Sequence, residues 1–226
     1  MTRKSLFIRS LGVAAALAAV TCCSLSARAE IVFGNLGASG TAALSDTNTD
    51  FGPDSTTTLA LAQGFTTSSA SLTLQSVTLG LFATSVPNGL PRTVSLFSSM
   101  GIEPGSLIGT SNTVQVGDKG MYTFDFSSIN LSPNTGYWIV PQQGSSWYLN
   151  GAETQPIGLN GSGFNYLGTK KQAVSNPGTW TDSTLPYSVS IITVPEPSTI
   201  VMAGFGAGGL AIMVQTRRRK AASHRR

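Results

Sequence analysis

From residue 30 to residue 193, short runs of aliphatic, aromatic and β-branched residues recur, and Gly, Pro, Asn or Asp separates each from the next. Lys and Glu are scarce in this stretch, and helix formers are few. The pattern predicts an all-β fold, a sandwich or barrel. Strands are expected near Leu59–Thr66, Leu72–Phe82, Thr93–Phe97, Tyr122–Phe126, Tyr137–Val140, Ser146–Leu149 and Tyr187–Val194. In Leu72–Leu79 apolar and polar residues alternate with one slip near Ser76, which a β-bulge would explain. In Tyr122–Phe126 the three aromatics fall on one face, with Thr123 and Asp125 on the other. Turns are expected at Val86-Pro87-Asn88-Gly89, at Glu103-Pro104-Gly105 and at Ser132–Gly136. Asn35 to Ser55 reads as irregular chain, and no internal repeat is visible.

The two ends differ from this middle. Residues 1–29 read as a secretory signal peptide. Arg3, Lys4 and Arg9 precede the uncharged run Leu11–Val20, and Ala27-Arg28-Ala29 offers a small-x-small cleavage site. At the other end the order is Pro195-Glu196-Pro197, then an apolar or glycine stretch over Ile200–Val214, then Arg217, Arg218, Arg219 and Lys220. Fifteen helical residues span about 22 Å, short of a bilayer core of about 30 Å. A helix over about 197–216 makes up the difference, and proline suits its first turn. The basic tail, 217–226, stays in the cytoplasm and leaves the preceding domain outside. Gly204-Phe205-Gly206-Ala207-Gly208-Gly209 imitates a dinucleotide fingerprint but follows no strand, so that reading fails. The chain thus divides into a leader (1–29), one extracytoplasmic domain (30–193) and a sorting segment (194–226).

With the ends set aside, the charge changes sign. The whole chain carries Lys+Arg 14 against Asp+Glu 10. Residues 30–193 keep four bases, Arg92, Lys119, Lys170 and Lys171, against nine acids, a net charge near −5. Nucleic-acid binding, which needs a basic face, is therefore excluded. Both cysteines, Cys22 and Cys23, lie in the leader, and the one histidine, His224, lies in the tail. The middle domain has no Cys or His for a Ser-His-Asp or Cys-His apparatus, nor for a disulfide.

The C-terminal blocks resemble the PEP-CTERM sorting signal of Gram-negative bacteria. Motif, helix and basic end occur in the family's order over about the last thirty residues. The resemblance implies a membrane-embedded cysteine transpeptidase, exosortase, as partner. It also implies a transient stay in the inner membrane and an association with exopolysaccharide and biofilm. A second resemblance lies in Ala62–Thr67, Leu74–Leu79, Pro104–Leu107, Tyr122–Phe124 and Thr135–Val140, taken in that order. Over roughly Phe33 to Val194 the chain is similar to choice-of-anchor R domains, which occur on several kinds of surface anchor.

Two clusters invite a ligand. Asp46, Asn48 and Asp50 place oxygen ligands at alternate positions, as calcium loops do. Phe51 and Thr57 stand where an EF-hand would have glycine and glutamate, so a solvated polar loop is the competing reading. Trp147 and Tyr148, beside Gly144-Ser145-Ser146, are candidates for a sugar-stacking platform at a rim; facing opposite sides, one at most can serve. Trp138, mid-strand beside Ile139 and Val140, reads as core. The expectation is a single jelly-roll-like β-sandwich between a leader and one membrane helix. It is non-enzymatic, needs no cofactor, and is displayed in or on an exopolysaccharide matrix. The alternatives are a carbohydrate-binding module and a hydrolase built on paired carboxylates.

Overall fold

The computed structural model describes residues 29–36, 43–52, 55–83, 89–150 and 154–195. The leader up to Arg28, Asp54, the Val86–Asn88 turn, the rest of the sorting motif beyond Pro195, the expected membrane helix and the basic tail lie outside the described residues.

Every regular element among the described residues is a strand. In chain order they are β1 (Glu30–Gly34), β2 (Leu44–Phe51), β3 (Thr58–Thr66), β4 (Leu72–Phe82), β5 (Leu90–Arg92), β6 (Val94–Met100), β7 (Glu103–Thr110) and β8 (Val114–Val116). There follow β9 (Gly120–Leu131), β10 (Gly136–Pro141), β11 (Ser145–Asn150), β12 (Ile157–Gly158), β13 (Asn165–Ala173), β14 (Trp180–Ser183) and β15 (Val189–Pro195). All pairings are antiparallel. One sheet runs β12-β1-β15-β4-β11-β2, with β9 along the other side of β4. The second runs β14-β13-β3-β10-β6-β7, and β5 and β8 form a small separate ribbon.

The chain changes sheet between β3 and β4 and again between β9 and β10, so the β3–β4 arch lies against the β9–β10 arch. Apolar residues of the two sheets share one core. Phe33 of β1 lies 5.6 Å from Phe65 of β3, and Phe65 stacks on Tyr137 of β10 at 5.8 Å. Val77, Leu79 and Leu81 of β4 and Phe124 of β9 are fully enclosed beside them. The result is two antiparallel sheets face to face.

The expected slip in β4 is a bulge. Thr193 of β15 faces Leu74 while Ile192 faces Ser76, so Gln75 is the extra residue. Before it Leu72 and Leu74 point into the core; after it Val77, Leu79 and Leu81 do. In β9, Phe124 and Phe126 are buried and Tyr122 packs half-buried against the core, so the three aromatics share the inner face.

Other expectations fail for identifiable reasons. Residues 44–51 are strand β2, not irregular chain, because β11 supplies a partner for their backbone from Leu44 to Phe51. The reversal before Glu103 occurs at Gly101-Ile102, with Gly101 at φ 66°, and not at Pro104-Gly105. Pro104 lies instead within β7, an edge strand, where a missing N–H is tolerated. Thr193, Val194 and Pro195 continue β15 and pair with Leu74, Thr73 and Leu72.

Candidate functional site

An open groove of about 520 Å³ lies where β2 meets β11. Asn48, Asp50, Ser55, Thr57 and Ser146 line it with polar groups, and Phe51 and Phe82 form its apolar floor. The local sequence explains its shape. Gly52 (φ 117°) and Gly144 (φ 85°) bring two backbones together, and Gly144 N–H donates to the Phe51 carbonyl at 2.9 Å. A Cβ on Gly52 would lie 2.1 Å from the Gly144 nitrogen, so glycine is obligatory here. Arg92 reaches across from the β5–β8 ribbon. Its Nη2 donates to the Gly144 carbonyl at 2.6 Å and its Nε to Ser145 Oγ at 2.9 Å.

Asp50 is the groove's described carboxylate. Its Oδ1 accepts from Asn48 Nδ2 at 3.3 Å and from the Ser146 hydroxyl, and its backbone carbonyl accepts from Ser55 Oγ at 3.3 Å. Asp46 serves elsewhere. Lys119 Nζ lies 2.6 Å from Asp46 Oδ1, and that hydrogen bond, then the charge, holds the Asp46 carboxyl below its ordinary value. Because 46–50 is a strand, Asp46 and Asp50 are four residues apart at about 3.3 Å each, or about 13 Å. Oxygen ligands of calcium lie 2.3–2.6 Å from the ion. Asp46, Asn48 and Asp50 therefore do not converge as a calcium loop does. No group of three His, Cys, Asp or Glu suited to a metal occurs among the described residues.

Trp147 and Tyr148 do face opposite sides, but Trp147 is not at a rim. It is fully enclosed, stacks on Tyr187 at 4.9 Å, and donates its Nε1–H to the Ser188 carbonyl at 2.8 Å. Burying so large a ring with its one polar atom satisfied is the expected use of a core tryptophan. Tyr148 is half-buried on the outer face opposite Asn48, with Lys119 Nζ 5.0 Å from its ring centre. That cation lies over the ring in a cation–π contact. Trp138 is enclosed as expected, yet its neighbours Tyr137 and Ile139 belong to the inter-sheet core and it does not. It lies over Gly64, where a Cβ would stand 2.9 Å from the ring, and its Nε1–H donates to Ser99 Oγ at 3.1 Å.

Sequence reasoning missed a buried polar clip. Gln63 of β3 donates to the Tyr187 carbonyl at 3.2 Å and accepts the Tyr187 N–H at 2.9 Å. Asn35 donates to the same carbonyl at 3.1 Å and accepts the Val189 N–H at 3.0 Å. The clip ties the approach to β15 to both sheets. Its signal was present: Gln63 is the lone long polar residue in Leu59-Ala60-Leu61-Ala62-Gln63-Gly64-Phe65.

Among known proteins, residues 193–219 match the PEP-CTERM protein-sorting motif family. No curated protein matches the chain. The matched segment begins inside β15, so the sorting motif starts within the last strand of the sandwich. A PEP-CTERM segment marks an exported surface protein, held transiently in a membrane and processed by exosortase.

Proposed function

We propose that the chain is a non-enzymatic display protein of the choice-of-anchor R type. In this reading the leader is removed after Ala29, the segment 197–216 holds the sandwich outside the inner membrane of a Gram-negative bacterium, and exosortase then releases it to the surface or the exopolysaccharide matrix. The jelly-roll-like layout belongs to this reading. Its main support is the motif at 193–219 joined directly to an all-β domain. Four of the five pieces that carry the choice-of-anchor resemblance pair two by two as strands: Tyr137 faces Phe65, and Val77 faces Phe124. Residues 30–193 offer neither histidine nor thiol for common nucleophilic chemistry.

The test replaces Pro195, Glu196 and Pro197 with alanine in a host carrying exosortase. Intact mass and cell fractionation should show the parent shortened and at the surface, with the variant full-length in the inner membrane. Parent and variant both remaining full-length in the membrane would reduce the segment to an anchor.

A second reading, a carbohydrate-binding module, is favoured by the groove itself, whose Asn48, Asp50, Thr57 and Ser146 offer a polar lining suited to hydroxyls. Asp50→Ala and Ser146→Ala should then abolish binding of the host exopolysaccharide, while Tyr148→Ala alone leaves it measurable.

A further inference from the structure

We propose that the end of the sandwich from which the chain leaves toward its sorting segment rests on the lipid surface, with Met100 and Ile102 entering the interface. The inference builds on the anchored reading above and adds a second contact between domain and membrane.

Strand registers define that end. Pro195 faces Leu72, and Leu72 faces Leu131 on its other side. Glu30 faces Thr193. In the second sheet Gly136 and Asn165 both face Thr66. The loops that join the sheets here are hydrogen-bonded to each other, Thr67 N–H to the Thr135 carbonyl at 3.0 Å and Thr67 Oγ1 to the Ser132 carbonyl at 2.6 Å. Because Ser98 faces Tyr137, next to Gly136, the β6–β7 reversal at Gly101-Ile102 extends beyond this same end.

The tip is apolar and held in place. Met100 and Ile102 are 68% and 66% exposed, the two most exposed large apolar side chains among the described residues. Ser99 Oγ donates to the Gly101 carbonyl at 2.8 Å while accepting from the enclosed Trp138. The side chains are thus presented by a turn fixed to the second sheet.

Chain length supplies the occupant. One residue separates Pro195 from Pro197, where the proposed anchor segment begins, and a residue reaches at most about 3.6 Å. An anchored sandwich has no slack to hold this end far from the bilayer. Charge agrees. The four bases of the described residues lie elsewhere: Arg92 and Lys119 beside the groove strands, Lys170 and Lys171 opposite Ala62 and Leu61. Among the described residues Glu30 and Glu103 are acids at this end, and Glu196 follows Pro195 in sequence. Contact is therefore apolar and does not require anionic lipid, and Glu103 beside the tip keeps the insertion shallow.

The test uses the full chain carrying Cys22→Ser and Cys23→Ser, with a nitroxide on either Ile102→Cys or Val174→Cys. Val174, 43% exposed, lies past the opposite end of β13. Each protein is reconstituted with phosphatidylcholine vesicles, and flotation is scored first. Collision with oxygen and with a water-soluble nickel chelate is then measured. The expected oxygen-to-nickel ratio at 102 is several times that at 174 and does not change with salt. Flotation with equal ratios overturns this inference and leaves the anchor standing. Exclusion of both reagents at 102 also overturns it, by showing a protein cover such as a second copy. Failure to float overturns the anchored reading and the inference together. Met100→Cys repeats the measurement should Ile102→Cys disturb the turn.

Discussion

Replacing Gln63 tests how the two sheets are held in register. Its side chain is 1% exposed and makes two hydrogen bonds to the Tyr187 backbone. In Gln63→Ala the Tyr187 carbonyl keeps Asn35, but the buried Tyr187 N–H loses its acceptor. An orphaned buried donor costs about 1–3 kcal/mol and the second lost bond about 1. The one lost methylene group, about 0.8 kcal/mol, acts against the side-chain entropy regained. The expected loss is about 2–4 kcal/mol, or roughly 4–16 °C in Tm for a domain of this size. Gln63→Glu separates hydrogen bonding from charge. Protonated, the carboxyl can donate and accept as glutamine does. Ionised, it is a buried anion facing the Tyr187 carbonyl, so its folded pKa rises above the usual value of about 4.3. A raised pKa means that the unfolded chain ionises first, so the deficit appears above about pH 4.3 and grows until the folded value is passed. Urea unfolding followed by tryptophan fluorescence, from pH 4 to pH 8, measures both variants. A Gln63→Ala cost below about 0.5 kcal/mol, the range of an uneventful surface change, would refute the reasoning. So would a Gln63→Glu deficit that shrinks as pH rises.

Three further outcomes are expected. Trp147→Ala should cost about 3–5 kcal/mol by the same assay, because the ring packs on Tyr187 inside the core; a neutral effect would contradict its burial. Gly64→Ala should cost about 1–3 kcal/mol by overpacking and change the fluorescence of Trp138, whose ring stands 2.9 Å from the added carbon. Burial raises the Tyr187 phenol above its ordinary 10.0. Stability present below pH 10 should therefore be lost as pH rises toward the folded value, and Tyr187→Phe should flatten that alkaline fall in a melting series.

The strands recognised in advance were those whose side chains alternate or whose aromatics share a face. Leu72–Phe82 was delimited from sequence alone, bulge included, because one face had to follow the core. β2 was missed because nothing in Leu44-Ser45-Asp46-Thr47-Asn48-Thr49-Asp50 marks an apolar face; this edge strand exists because β11 offers it a partner. β13 escaped for a related reason, being mixed in polarity and paired on both sides.

The same division holds for the candidate site. Residue types alone determined that the middle domain is acidic, lacks thiol and imidazole, and leads into a PEP-CTERM segment, since charge and motif are properties of the chain. Where each side chain ends up was decided by packing. Trp147 and Tyr148 are neighbours in sequence, and the strand pleat guarantees that they part. Only the sheet on the other side decides that Trp147 is the one enclosed and that Lys119 covers Tyr148. Asp46, Asn48 and Asp50 look like a ligand set when written in a line. An extended backbone holds Asp46 away from Asp50, and extension here comes from hydrogen bonds to β11, a partner about a hundred residues away along the chain.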